Sequence, residues 1–151
     1  MERGQVGIEF VLMIGLVLLI VVTAIPYILK QNELNNGIAA ARNGATFAMG
    51  MRGLGYAGSG VQENPPGVLK LDRIEYSVAE NATGKDDVYI EIYLKGSSYL
   101  NTASITGTVS TQARRYISYA FSGQWPGTTV SLAQTTGSYY IFHVNEPTWA
   151  P

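Results

Sequence analysis

Residues 10–29, FVLMIGLVLLIVVTAIPYIL, form a run of twenty residues without a charged side chain, and Glu9 stands immediately before it. A helix rises about 1.5 Å per residue, so this run reaches roughly 30 Å, the thickness of a bilayer's hydrocarbon core. The run therefore predicts a membrane-spanning helix. A carboxylate inside hydrocarbon is unfavourable by roughly 2.5–3.5 kcal/mol on insertion scales, so Glu9 is expected to have a partner or a purpose.

The composition of the whole chain excludes several classes of function. The 151 residues are enough for one modest domain beside the apolar helix. The net charge is −1 and charged residues make up 14% of the chain, so there is no basic field of the kind that binds nucleic acid. Cysteine is absent, which excludes disulfides, thiolate metal sites and a cysteine nucleophile.

The apolar run differs from a cleaved secretory signal. Such a signal has an apolar stretch of roughly 7–15 residues with a small-x-small cleavage site after it. Here the run is longer, and residues 26–30, PYILK, offer no such site. The small residue that suits a cut is Gly4, before the run. A cut there would leave the apolar helix on the mature protein.

The order Arg3-Gly4, Gln5 and Glu9-Phe10, followed by an uninterrupted apolar helix, resembles the class III signal peptide of type IV pilins. The archaeal form of that peptide has a Gln-x-x-x-Glu-Phe core, as residues 5–10 do here. The resemblance implies that a membrane-embedded prepilin peptidase cuts the Gly4–Gln5 bond. It also implies a long helix followed by a β-rich domain.

The same resemblance implies an assembly role for Gln5, Glu9, Phe10 and Pro26. The cut frees the amino group of Gln5, which pairs with Glu9 of its own or a neighbouring subunit. If Gln5 cyclises, Glu9 accepts hydrogen bonds instead. For Glu9 the alternative is a position at the headgroup boundary of an ordinary signal anchor. For Pro26 two interpretations stay open: a bend or local melting of a filament-core helix, or a plain bend at the membrane exit.

The domain organisation follows from the changes in residue pattern along the chain. We expect a signal peptide over 1–4, a long helix over 5–54 with its apolar part at 8–29, a Gly/Pro linker over 55–67 and a β-rich globular domain over 68–151. The GxGxxG at residues 53–58 follows a helix and not a strand, so it is interpreted as a helix stop and not a phosphate-binding loop.

The second half of the long helix has an apolar stripe, which predicts a helix packed on the globular domain. The stripe consists of Leu34, Ile38, Ala41, Ala45, Ala48 and Met49. Glycines at 37, 44, 50 and 53 weaken the helix but permit close approach of a second helix. Arg42 and Arg52 are expected on a solvated face, and contact with acidic groups of neighbouring subunits is the alternative.

From residue 68 onward, six short segments are rich in Tyr, Ile, Val and Thr, which predicts strands. We expect an antiparallel sheet of four to six strands over the carboxy-terminal half of the helix, and hence an α+β, pilin-like fold. The alternation is clearest in residues 88–95, where one face is apolar and the other polar. The six segments are 68–80, 87–96, 103–110, 113–123, 128–136 and 138–146.

The strand-rich part contains no recognisable catalytic or metal-binding constellation, and no cofactor is predicted. His143, the single histidine, lies among apolar neighbours where a structural role is expected. Glu80, Asp86 and Asp87 lack the spacing of a calcium loop and are interpreted as a charged hairpin turn. Asn81-Ala82-Thr83 is a possible N-glycosylation site on that turn. The tyrosines are mostly expected to be half-buried strand residues.

These observations favour a structural protein and not an enzyme. The resemblance implies a homopolymer of pilin subunits, processed by prepilin peptidase and built by a membrane assembly machinery. The precursor would lie in the cytoplasmic membrane with its carboxy-terminal domain outside, and the filament on the cell surface would contact surfaces or other cells. Alternatives are a minor pilin or pseudopilin, or a single-span anchored surface binding protein. An archaellin is disfavoured by the residues after Gly4, and no nucleic-acid partner is expected.

Overall fold

The structure, a computed structural model, describes residues 2–56, 67–97, 103–126 and 134–150, with side chains from residue 7 onward. The chain forms two compact units, residues 1–32 and residues 33–151, here called the amino-terminal unit and the globular unit. The elements in chain order are α1 (Glu2–Gly53), β1 (Leu69–Ala79), β2 (Asp86–Gly96), α2 (Ala103–Ser122), β3 (Thr135–Thr136), β4 (Tyr140–Val144) and β5 (Thr148–Trp149).

The α+β class predicted from the sequence is confirmed, since a long apolar helix precedes a small sheet. The described residues form five strands, which agrees with the prediction of four to six. Strand β1 pairs with β2 in antiparallel fashion, and β3 pairs likewise with β4. Strand β2, however, pairs in parallel with both β4 and β5. The expectation of an antiparallel sheet is therefore wrong, because the sheet is mixed.

The reason for the parallel pairing is helix α2, which replaces two of the expected strands. Segments 103–110 and 113–123 were expected to be strands, yet both lie in this helix. Parallel neighbours need a long crossover connection, commonly a helix, and α2 lies in the chain between β2 and β4. The β-branched and aromatic residues of this stretch favoured strands locally, but Ile105, Val109, Ala113 and Ile117 recur at every fourth position and form one buried helical stripe.

Helix α1 ends at a glycine-dependent cap. Gly55 has a φ of 87°, a conformation that residues with a side chain rarely adopt. The N–H of Gly55 donates to the carbonyl of Arg52 at 3.0 Å, and the N–H of Tyr56 donates to the carbonyl of Met51 at 3.0 Å. This pair of hydrogen bonds is the Schellman motif. The interpretation of the glycine-rich stretch as a helix stop is confirmed up to Tyr56; residues 57 and 58 lie outside the described ranges.

A proline separates the two strands that run beside β2. Asn145, just after β4, donates its N–H to Ile90 at 3.0 Å, and Ala150, just after β5, donates to Leu94 at 2.7 Å. Pro147 lies between them, is buried, and has no N–H to continue the ladder. The interruption therefore splits one potential strand into β4 and β5.

The core of the globular unit lies between the sheet and the helical residues of that unit. The inward residues of β2 alternate with exposed ones, as expected for a sheet with one buried face. The predicted stripe of α1 is confirmed: five of its residues are buried and Ile38 packs against the core. The buried apolar residues are Leu34, Ala40, Ala41, Ala45, Ala48, Met49, Val88, Ile90, Ile92, Leu94, Ile105, Val109, Ala113, Ile117, Tyr140, Phe142 and Val144.

Small residues on α1 permit the close packing. A Cβ on Gly44 would lie 2.5 Å from the carbonyl oxygen of Gln112 and 2.8 Å from Cα of Ala113, both in α2. A Cβ on Gly37 would collide with the ring of Phe142 in β4. Close helix-to-helix approach is thus confirmed at Gly44, while nothing lies within 4 Å of a Cβ on Gly50.

Two predicted features fall partly outside the described ranges. The strand expected over 128–136 has only its last residues described, where β3 comprises Thr135–Thr136. Most of the linker expected over 55–67 also lies outside them. The strands predicted over 68–80, 87–96 and 138–146 are confirmed as β1, β2 and β4.

Candidate membrane and assembly site

The apolar run at the start of α1 has no covering in the described residues. Its large apolar side chains are exposed, with Phe10 at 61% as an example. Among the described helices, residues 7–53 of α1 are long and apolar enough to cross a membrane. Apolar side chains exposed over such a length are unfavourable in water, and they indicate contact with lipid or with other protein surfaces.

The Thr23 hydroxyl within this run is hydrogen-bonded locally. Its oxygen lies 3.0 Å from the carbonyl oxygens of both Leu19 and Ile20, so these two acceptors share its single hydrogen. This internal bonding suits a helix in lipid, where no water is present to take the hydroxyl's hydrogen. Pro26 lies inside α1, and the residues on both sides of it are helical. The structure thus places Pro26 within a helix and not at its end.

Glu9 stands one residue before the charge-free run, on an exposed part of α1. Within the described residues its carboxylate has neither a hydrogen bond nor an ion pair. Phe10 beside it is exposed as well. Gly4 and Gln5 lie in the helical range, and their surroundings are outside the described side chains. The predicted processing residues Gly4 and Gln5 and the predicted assembly residues Glu9 and Phe10 therefore lie at one helix end, whereas Pro26 lies further along α1.

The pattern of an acid at the head of an exposed apolar helix has a counterpart among known protein families. The Class III signal peptide family model matches residues 3–28. The class III signal peptide predicted from the sequence is therefore confirmed. The matched segment contains Arg3, Gly4, Gln5, Glu9 and Pro26, and it ends within the apolar part of α1. No curated protein and no solved structure matches the chain.

The class III signal peptide is followed by a globular unit that begins with a buried carboxylate. Glu33 is only 9% exposed. Its Oε1 accepts the N–H groups of Tyr139 and Tyr140, each at 2.9 Å, and its Oε2 accepts that of Ser138 at 3.0 Å. Three backbone donors satisfy the buried charge, so this carboxylate fastens α1 to the turn between β3 and β4. No local sequence pattern indicates this role, because the donors lie 105 to 107 positions away along the chain.

Arg52 is the second buried charge of α1, at 7% exposure. Its Nη2 donates to the hydroxyls of Thr108 at 2.6 Å and Ser104 at 3.1 Å, both in α2. The expectation of a solvated Arg52 is therefore wrong, because the guanidinium is used to join the two helices. Arg42 is exposed, as expected. Strands were expected where α2 lies, so the Ser104 and Thr108 hydroxyls could not be recognised from the sequence as partners of Arg52.

The turn between β1 and β2 carries a polar network with His143. The His143 Nε2 lies 2.8 Å from Oδ1 of Asp87, and Asn81 Nδ2 donates to Oδ2 of Asp87 at 2.6 Å. Because an ionised carboxylate only accepts, Nε2 carries the proton in this pair. The hydrogen bond from His143 lowers the pKa of Asp87, and that from Asn81 acts in the same direction. The His143 ring also stacks on Tyr89, with ring centroids 4.9 Å apart.

The charged hairpin turn predicted from residues 80–87 is confirmed, with Gly84 at a φ of 81°. The Asn81 side chain also accepts the N–H of Thr83 at 3.1 Å, which closes a local turn around the possible glycosylation site. The structural role expected of His143 agrees with its contacts. Within the described ranges, no three His, Asp or Glu side chains come together as a metal site.

Several tyrosines have surroundings that differ from the expectation of half-buried strand residues. Tyr116 and Tyr119 lie on α2, and both contact the exposed Trp125 ring, with centroids 5.1 and 5.6 Å away. Tyr140 is buried in β4. Tyr76 is exposed on β1. The tyrosines thus divide between the core and the surface, and strand propensity alone does not distinguish these groups.

Proposed function

We propose that this chain is a structural subunit of an extracellular type IV pilus-like filament, which polymerises through α1 and displays the globular unit on its surface. The match to the class III signal peptide over residues 3–28 carries the proposal. The exposed apolar side chains of α1 support it, because a helix of this kind needs lipid before assembly and protein partners afterwards.

In this proposal the precursor lies in the cytoplasmic membrane with the globular unit outside. Prepilin peptidase cuts the Gly4–Gln5 bond, and an assembly machinery in the membrane draws the mature chain into the filament. The amino group of Gln5 then pairs with Glu9, which has no partner within the described part of one subunit. A charge pair of this kind sets the register of neighbouring helices, since an unpaired carboxylate among apolar helices is strongly unfavourable.

Phe10 and Pro26 have distinct parts in the proposed assembly. The exposed Phe10 ring, directly after Glu9, provides an apolar contact that excludes water from the charge pair. Pro26 removes one backbone hydrogen bond from α1 and permits a local bend as helices pack. The role is structural, and surface adhesion or cell contact follows from what the exposed globular unit binds.

The hydrogen bonds of Asn81 are compatible with an N-linked glycan in this setting. An asparagine amide has two hydrogens, so a glycosylated Nδ2 keeps one that can still donate to Asp87. We therefore retain Asn81 as the proposed attachment site. Mass mapping of the natural protein should find the glycan on the peptide that contains Asn81, and an unmodified peptide would refute this assignment.

The experiment that tests the main proposal combines mass mapping of the amino terminus with electron microscopy of the natural cell surface. A mature chain that begins at Gln5 or its cyclised form, together with filaments labelled along their length by an antibody to the globular unit, is the expected result. A chain that begins at Met1, or after Lys30, would overturn the proposal. Label confined to filament tips would instead assign the chain to the minor pilins.

A further inference from the structure

Two pairs of like charges lie directly opposite each other on the outer face of the β1–β2 ribbon. In the register of these strands Lys70 is opposite Lys95, and Glu75 is opposite Glu91. All four side chains are exposed. Like charges at opposed positions of an antiparallel pair destabilise the sheet. Two such pairs in one ribbon indicate that these charges serve a purpose other than the stability of the single subunit.

Neither like-charged pair is fully neutralised inside the subunit. Lys70 and Lys95, here called the basic end, have no hydrogen bond or ion pair within the described residues. Arg73 bonds Glu75 at 2.6 Å and Asp72 at 2.8 Å. The acidic patch consists of Asp72, Glu75 and Glu91; with Arg73 included its charge is −3 + 1 = −2, and the basic end has +2.

The contacts of Tyr93 reflect the excess negative charge of the acidic patch. Its hydroxyl donates to Glu91 Oε2 at 2.9 Å, and no cation contacts Glu91 among the described residues. That hydrogen bond raises the pKa of Tyr93, with burial and the charge of Glu75 acting in the same direction. Arg73 stacks on the Tyr93 ring, 3.9 Å from its centroid, and thereby stays on the Glu75 side of the patch.

Glu91, the acid of the patch that no cation contacts among the described residues, is too far from the basic end to be neutralised by it within one subunit. Asp72 is only two positions from Lys70 along β1, but Arg73 already bonds it. Glu91 and Lys95 are four positions apart in β2, which is about 13 Å at the rise of a strand. The Debye length at physiological ionic strength is about 8 Å, so exposed charges at this separation are largely screened from each other. Two complementary patches therefore remain on one face of the globular unit.

We propose that the basic end of one subunit docks on the acidic patch of a second copy of this chain. The patches occupy different positions on the same face, so two copies can dock with the basic end of one against the acidic patch of the other. This inference rests on the proposed filament function and names the surface contact between subunits outside the α1 helices.

The test reverses the charges of each patch in the full chain and observes assembly in the producing cell. One variant has Lys70→Glu with Lys95→Glu, and the other has Glu75→Lys with Glu91→Lys. Each alone should reduce the number of filaments by more than about tenfold, since like charges then meet at the contact. Expressed together, the two variants should restore filaments, because each reversed patch then meets a complementary one.

The controls separate charge pairing from general effects. Glu80→Lys changes an exposed charge in the β1–β2 turn, outside both patches, and should leave filament number unchanged. Unchanged tryptophan fluorescence will show that each variant folds. Wild-type filament numbers in either reversed variant, or loss in both variants without recovery on co-expression, would overturn the inference. If Lys70 and Lys95 served only to prevent unwanted strand pairing at the edge of the sheet, their reversal would leave filament numbers at the wild-type level.

A cross-linking experiment decides the inference even if the cell makes no filaments. The chain has no cysteine, so single cysteines report one contact each. Full-length Lys95→Cys and Glu91→Cys chains, mixed in phospholipid vesicles, should form a disulfide dimer more readily than either does with the exposed α2 control Ala120→Cys. Equal yields for all pairs would exclude this contact, whereas absence of filaments with preferential cross-linking would refute only the filament function.

Discussion

The Glu33 carboxylate accepts the backbone N–H of Tyr140 at 2.9 Å, although 107 positions separate the two residues in the chain. This contact connects the first residue of the globular unit with one of its last strands. It also explains why a carboxylate is tolerated in a buried position, since the backbone donors of the β3–β4 turn replace water. From Glu33 onward, α1 thereby forms part of the globular unit.

We expect Glu33→Gln to lower the free energy of unfolding of the globular unit by about 1.5–3 kcal/mol, because hydrogen bonds to a charged acceptor are lost and an amide NH2 faces backbone donors. Urea unfolding of the full chain in detergent, followed by tryptophan fluorescence, measures this. Glu80→Gln on the exposed turn is the control and should change little. Equal stability of both variants would contradict the fastening role of Glu33.

Arg52→Lys should destabilise the globular unit by about 1–3 kcal/mol. A lysine ammonium cannot reproduce the guanidinium fork that bonds Thr108 and Ser104, and it remains buried with fewer partners. The same unfolding measurement applies. The matched change Arg42→Lys, on the exposed side of α1, should stay within about 0.5 kcal/mol of the wild type. A similar loss of stability for both variants would contradict a specific contribution of the Arg52 hydrogen bonds to Thr108 and Ser104.

Alanine at Gly44 and at Gly50 should have opposite effects on stability. Gly44→Ala places a Cβ against the backbone of α2 and should cost about 1–3 kcal/mol through overpacking. Gly50→Ala has open space and should stabilise the helix by up to about 1 kcal/mol, because alanine is the better helix former. The two variants are compared as detergent-solubilised single subunits. Stabilisation by Gly44→Ala would show that the α1–α2 contact is looser than described.

The Asp87–His143 pair should make the globular unit less stable at low pH. Hydrogen bonding with His143 sets the folded-state pKa of Asp87 below its unfolded value. The resulting stabilisation is present above the unfolded pKa, at about pH 4, and is lost as the pH falls through the folded pKa. Thermal unfolding between pH 2 and 7 should therefore show a steeper acid loss in the wild type than in Asp87→Asn.

The control for that pH dependence is Glu80→Gln, since its exposed carboxylate has no contact with the pair. This variant should retain the wild-type slope below pH 4. His143→Phe should reproduce most of the effect of Asp87→Asn, because it keeps the ring stacked on Tyr89 while it removes the hydrogen bond. Wild-type slopes in both Asp87→Asn and His143→Phe would exclude the pair as the source of acid sensitivity.

Replacement of Glu9 should separate processing from assembly in the proposed filament. Glu9→Leu should still be inserted and cut at Gly4, but filaments should fall by at least about tenfold, since the amino group of Gln5 loses its buried partner. Leu12→Ile is the apolar control. Glu9→Gln should assemble only if mass mapping finds Gln5 cyclised, because an amide can then accept the hydrogen bonds. Normal filaments from Glu9→Leu would refute the assembly role of Glu9.

The amino-terminal part of this protein was predictable because its physical determinants are local. The length of the charge-free run, the acid at Glu9 and the order of Gly4, Gln5 and Phe10 all lie within thirty residues. Helical periodicity likewise predicted the buried stripe of α1, and alternation predicted β1, β2 and β4. Each signal depends on neighbours a few positions away, so no tertiary contact was needed to read it.

The sequence by itself therefore determined the apolar helix with its class III signal peptide, the α+β class and the strongest strands. Only the tertiary structure decided that residues 103–122 form α2, because packing of their four-residue stripe against the core outweighs their local strand preference. It also decided the parallel pairing of β2 and the burial of Glu33 and Arg52. Those features depend on partners far away in the chain, such as Tyr140 for Glu33 and Thr108 for Arg52. No local pattern shows which distant residues will lie next to each other.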